Sequence, residues 1–132
     1  MDDQVADPLG SLTLPGELVS AAPARRFVEQ MLDGRVDDLP AAALMTSELV
    51  TNVAKHAGSE LTVTVRAGPP VRVEVHDGVA ATETFRDLMN AGGTMPDVSA
   101  LGGRGLPLVR LLANRVGLDD DERGGKMVWF EL

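Results

Sequence analysis

Ser47-Glu48-Leu49-Val50-Thr51-Asn52-Val53-Ala54-Lys55-His56-Ala57 is the stretch on which the reading of this chain turns. At about 100° per residue, a helix through it sets Ala42, Leu49, Val50, Val53 and Ala57 on one side. Glu48, Asn52, Lys55 and His56 fall on the other. Periodicity alone gives an amphipathic helix with a wet face. The residue types on that face say more. Asn is a weak helix former and an odd choice for the middle of a solvent face. Glu48 and Asn52, four apart, bring a carboxylate and an amide oxygen side by side. These are hard donors suited to Mg²⁺, which also demands waters and phosphate oxygens. Lys55 and His56 close the same face and could contact phosphate. Asp37-Asp38-Leu39-Pro40 opens this helix with acids and a proline, and Gly58 stops it after about Ala57.

Upstream, residues 1–10 are acidic and have neither a basic n-region nor an apolar h-region. They read as a disordered tail and not as a signal peptide. Leu12 to Leu14 is a short strand closed by Pro15-Gly16. A helix is expected from Ser20, its N-cap, to Leu32, with Pro23 in the first turn and Gly34 after its end. Downstream, Leu61-Thr62-Val63-Thr64-Val65 and Val71-Arg72-Val73-Glu74-Val75 alternate with period two about the turn Ala67-Gly68-Pro69-Pro70. Residues 78–101 show no clear period, and a loop this long is usually functional or mobile. Leu106 to Arg115 reads as a third helix. Met127 to Leu132 reads as a final strand, with a shorter one at Val116 to Leu118. The acid run Asp119-Asp120-Asp121-Glu122 is a solvated hairpin loop. This order predicts one domain over residues 11–132. Its class is α+β, a two-layer sandwich of a mixed, mostly antiparallel sheet with helices packed on one face.

Composition narrows the function classes. A chain of 132 residues that is 44 % hydrophobic can build a core without staples. Aromatics are 3 % and the net charge is −8, so base-stacking platforms are scarce and a phosphate backbone is repelled on average. Nucleic acid is not an expected partner. Cysteine is absent, which removes thiolate catalysis and Cys-type zinc sites and is compatible with a reducing cytoplasm. His56 and His76 are the two histidines, too few for a His-rich metal site. No apolar run reaches the length of a membrane span.

Two further signals are modest alone. Gly102-Gly103-Arg104-Gly105-Leu106 leads into the third helix. Its glycines let the backbone approach a ligand, and the helix start offers free N–H groups to phosphate. It is neither a P-loop nor a dinucleotide-binding loop, and a plain turn is the blander reading. Asp77-Gly78 ends the second hairpin strand. It is a common turn pair. It also places a carboxylate where an exocyclic amine such as the adenine N6 group could donate to it.

Together and in this order, the pieces resemble the GHKL superfamily of ATPases and kinases, which has the Bergerat ATP-binding fold. Residues 48–57 look like its N box, Asp77-Gly78 like its first glycine box, and Gly103-Arg104-Gly105-Leu106 like its second. Gly125-Lys126-Met127-Val128-Trp129-Phe130 looks like its last strand. Within it, a short lone domain resembles the bacterial anti-sigma-factor serine/threonine kinases. The resemblance implies ATP and Mg²⁺ as cofactors. Asn52 would hold Mg²⁺, Glu48 would act as general base or orienting group for a serine hydroxyl, and Asp77 would read adenine. Gly102, Gly103, Arg104 and Gly105 would hold the phosphates, with residues 86–101 as a lid. Implied partners are a sigma factor and an anti-anti-sigma protein of the STAS type, with homodimers common. Arg25 and Arg26 are candidates for partner contact.

Two positions depart from the family pattern. Val79 stands where Gly or Ser is usual, and Met127 where a Thr often helps to bind adenine. Both remove small or polar groups expected beside the base, which bears on nucleotide affinity more than on fold. Three readings therefore stay open: an active protein serine kinase, a binding-only regulator of the same fold, and an ATP-independent interaction module.

Overall fold

A computed structural model describes residues 7–90 and 105–132. Five strands form one sheet in the order β1-β2-β3-β5-β4, where β1 is Pro8–Leu14, β2 Leu61–Arg66, β3 Arg72–Asp77, β4 Arg115–Asp120 and β5 Lys126–Glu131. Every pairing is antiparallel, so the mixed, mostly antiparallel sheet expected is antiparallel throughout among the described residues. Period-two alternation turns Val63, Val65, Val73, Val75, Val128 and Phe130 to one face, where they are buried. Among the described residues the α-helices are α1 (Ala21–Leu32), α2 (Leu39–His56), α3 (Glu83–Asn90) and α4 (Gly105–Leu112). Ala24, Val28 and Leu32 of α1 and Met45, Leu49, Val50 and Val53 of α2 join those sheet residues in one core. This is the expected two-layer α+β arrangement.

The second helix forms as its sequence dictates. The Asp38 carboxylate accepts from the Ala41 N–H at 3.1 Å, and Pro40 sits in the first turn. Gly58, at φ +66°, ends it, as only glycine does without strain. Several boundaries differ from expectation. β1 begins at Pro8, inside the expected tail, of which residues 1–6 lie outside the described residues. Ser20 takes the expected N-cap position of α1, but its hydroxyl makes no capping hydrogen bond and donates to the Pro15 carbonyl at 2.7 Å instead. α4 ends at Leu112, and β4 is longer than the three residues expected.

The main correction is α3, which occupies part of the stretch expected as a structureless loop. Thr82 Oγ1 accepts from the Phe85 N–H at 3.0 Å, and Glu83 lies in the first turn. Phe85 and Met89, four apart, turn to the core. Residues 86–90 of the expected lid are thus helical, and residues 91–101 lie outside the described residues.

Candidate functional site

The register sets the chemistry. Asp77, the last residue of β3, pairs directly with Lys126, the first of β5. Both are buried. Gly125 lets the two strands close at this point: a Cβ there would clash with the Asp77 carbonyl oxygen. The Asp77 Oδ1 accepts from the Val79 N–H at 2.8 Å and from Lys126 Nζ at 3.1 Å. Lys126 Nζ also donates to the Val79 carbonyl at 3.0 Å and lies 5.4 Å from the centre of the Phe85 ring. The second carboxylate oxygen, Oδ2, is 3.0 Å from Nζ as an ion pair, but it is buried and accepts no hydrogen bond.

A cavity opens above this pair. Leu49, Asn52, Val53 and His56 of α2 form its roof, and Phe85 of α3 closes one side. Val75, Asp77, Lys126 and Val128 of the sheet form its floor. The floor and walls are mostly apolar, with a few convergent polar groups, as small-molecule sites usually are. A buried carboxylate oxygen with room for a further donor, below an amide on a helix, fits a flat base that carries an exocyclic amine.

Three of the residues singled out in the sequence therefore meet in one cavity: Asn52, His56 and Asp77. Glu48 is half-buried one turn before Asn52, outside the cavity lining, and Lys55 is exposed. Gly78 flanks Asp77, and its N–H donates to Ser59 Oγ at 2.9 Å. Gly102, Gly103 and Arg104 lie outside the described residues. Gly105 and Leu106 open α4, which packs against α2. Val79 takes part through its backbone groups and not through its side chain.

Met127 is not beside the cavity. It pairs with His76, one residue along from the Asp77–Lys126 pair, and so points to the opposite side of the sheet. The polar residue of β5 that reaches the cavity, beside Val128, is Lys126, which the sequence reading passed over. Parity carries the signal: counting back by twos from Phe130 and Val128, both core residues, lands on Lys126.

The opposite face of the sheet holds a separate ion network. Arg66 Nε and Arg72 Nε each lie 3.0 Å from Glu74 Oε2, and His76 Nε2 lies 3.5 Å from Oε1. Arg72 also stacks on Trp129, 4.0 Å from the ring centre. Burial pushes the Glu74 carboxyl up. The hydrogen bonds from His76 and Arg66 and the charges of Arg66 and Arg72 outweigh this and hold it below its ordinary 4.5. Arg86 of α3 pairs with Asp120 of β4 at the sheet edge, which ties α3 to the sheet.

Comparisons with known proteins agree with this fold. The sequence matches the family described as "Histidine kinase-like ATPase domain" over residues 14–132. No curated protein matches it. Among solved structures, the fold is similar to one described as "The crystal structure of the RsbU and RsbW domains of Rv1364c from Mycobacterium tuberculosis", with a TM-score of 0.62 and 17 % sequence identity. The match covers 96 % of this chain and 32 % of that one, so this chain spans about a third of its length. Among the described residues, no helix is long and apolar enough to cross a membrane.

Proposed function

We propose that this chain, which belongs to the histidine kinase-like ATPase domain family, binds ATP in the α2–β3–β5 cavity and acts as an anti-sigma-factor serine/threonine kinase. The observation that carries the nucleotide reading is Asp77 Oδ2, a buried carboxylate oxygen that faces the Lys126 ammonium without a well-directed hydrogen bond, on the floor of a cavity roofed by Asn52. Such an oxygen can accept a further hydrogen bond, worth about 1.5–3 kcal/mol to a charged group, and an exocyclic amine would supply it.

The phosphates would extend along α2 towards Gly105 at the start of α4. Mg²⁺, when bound, neutralises charge on the phosphates as it develops. The described residues contain no group of three His, Asp or Glu that could hold a metal by themselves. The Asn52 amide oxygen would therefore share the ion with phosphate oxygens and water, which suits Mg²⁺. Glu48, one turn earlier, would orient or deprotonate the serine hydroxyl of an acceptor. Phosphoryl transfer is mostly positioning and charge neutralisation, so these few groups suffice. The acceptor would be a STAS-type anti-anti-sigma protein, and the sequestered partner a sigma factor. This part rests on the motif resemblance and on the likeness in fold to a structure that contains an RsbW domain.

One observation favours the second reading, a partner-switching module with weak nucleotide binding. Lys126 already engages Asp77, so a base must share the carboxylate with it. Replacing Asn52 by Ala separates the readings. We expect Mg²⁺-dependent affinity for ATP to vanish in N52A while its circular dichroism spectrum stays that of the parent. Equal affinities in the two proteins would remove Asn52 from the site.

A further inference from the structure

Lys126 is out of place on structural grounds alone. It lines a cavity with the apolar Leu49, Val53, Val75 and Val128, and with Asn52, His56 and Asp77 as its polar groups. A buried ion pair among apolar residues gains little stability over an apolar pair of the same volume, because both charges lose their water. Such a pair is better explained by something it contacts. The ammonium has three N–H groups. One goes to Asp77 Oδ1 and one to the Val79 carbonyl. Nζ also lies 3.0 Å from Asp77 Oδ2, off the line of a well-directed hydrogen bond, so the two carboxylate oxygens share one N–H. With three N–H groups and two partners, the ammonium retains a donor, and Oδ2 retains lone pairs to accept a second hydrogen bond. The cavity floor therefore offers a cationic donor and an anionic acceptor, side by side.

That pattern complements a heteroaromatic edge with an amine next to an unprotonated ring nitrogen. The edge of adenine is such an edge: the N6 amine donates and N1 accepts. We infer that Lys126 is a specificity-determining residue of the nucleotide site, donating through Nζ to N1 of adenine while Asp77 Oδ2 accepts from N6. The inference rests on the ATP reading of the cavity and adds a second protein group to base recognition. The hydrogen bonds to Asp77 Oδ1 and the Val79 carbonyl fix Nζ before the base arrives, so little side-chain freedom is lost on binding. Phe85, whose ring Nζ approaches, sits beside the same edge and excludes water from it.

The test compares ATP with 1-deaza-ATP, in which a C–H replaces N1, by calorimetric titration of the whole chain. A hydrogen bond from a charged donor is at stake, so the wild-type protein should bind the deaza analogue about tenfold more weakly or worse. In K126M, which keeps the length and volume of the side chain without donor or charge, the two nucleotides should bind alike. In K126R, which keeps a donor, a preference for ATP should persist. A measurement on the unmodified protein stands beside these: the nitrogen-15 resonance of ATP labelled at N1 should move on binding. Equal affinities in the wild type, an unchanged preference in K126M, or an N1 resonance that does not move would each overturn the role of Lys126 while leaving the ATP site in place. No binding of ATP itself by the folded wild-type protein would overturn both.

Discussion

Asp77 and Asn52 come from opposite layers of the molecule, a strand end and a helix face, and meet in one cavity because each faces inward from its own element. Glu48 stands one helical turn from Asn52, outside the cavity lining, where an acceptor serine would approach the terminal phosphate. From this placement we expect E48A to keep its affinity for ATP and to lose transfer of labelled γ-phosphate to a STAS-type serine acceptor by about a hundredfold or more. Transfer at the parent rate would take the general-base role away from Glu48. At this scale the sequence was half legible. Asn52 stood out because asparagine is costly in a helix interior, and Asp77 because a carboxylate ended an alternating strand. Lys126 did not, because a lysine at the start of a strand ordinarily reads as solvent-facing. Its partner lies 49 positions away in the chain, and only the β3–β5 register brings the two together.

The elements that frame the cavity were legible in proportion to their length and periodicity. α2, with 18 residues, an aspartate cap and a glycine stop, could be drawn from its sequence to within a residue or so. The β2–β3 hairpin was equally plain, since both strands alternate without a break. α3 was not. It has eight residues, too few for its period to rise above the surrounding small and polar residues, and it depends on the Thr82 cap and on Phe85 and Met89 reaching the core. Removing that cap should act locally. T82A should weaken α3 by about 1 kcal/mol, which is roughly fivefold faster amide exchange in residues 85–90, and leave exchange in α2 unchanged. Exchange rates in α3 equal to those of the parent would mean that packing against the core, and not the cap, holds the helix.

The molecule as a whole separates two kinds of charge between the two faces of one sheet. Among the described residues the helix-covered face carries the buried Asp77–Lys126 pair at the cavity and the exposed Arg86–Asp120 pair at its edge, and the other carries the Glu74 network with Arg66, Arg72 and His76. The Glu74 carboxyl titrates lower in the folded protein than in the unfolded chain. Its ionised form therefore stabilises the fold in full at neutral pH, and this is lost as pH falls below about 4.5 and through the folded value. Accordingly, the Tm of the wild-type protein should fall more steeply below that pH than the Tm of E74Q. Parallel acid limbs would show that Glu74 contributes nothing to the acid sensitivity.

The central claim is that the cavity between α2, β3 and β5 takes ATP. Calorimetric titration of the folded protein with ATP, with and without Mg²⁺, tests it most directly. The geometry predicts Mg²⁺-dependent binding in the micromolar range, about −8 kcal/mol. No heat of binding at millimolar ATP, from a sample whose circular dichroism shows the α+β fold, would contradict it and leave a binding-only regulator in which Lys126 has closed the site.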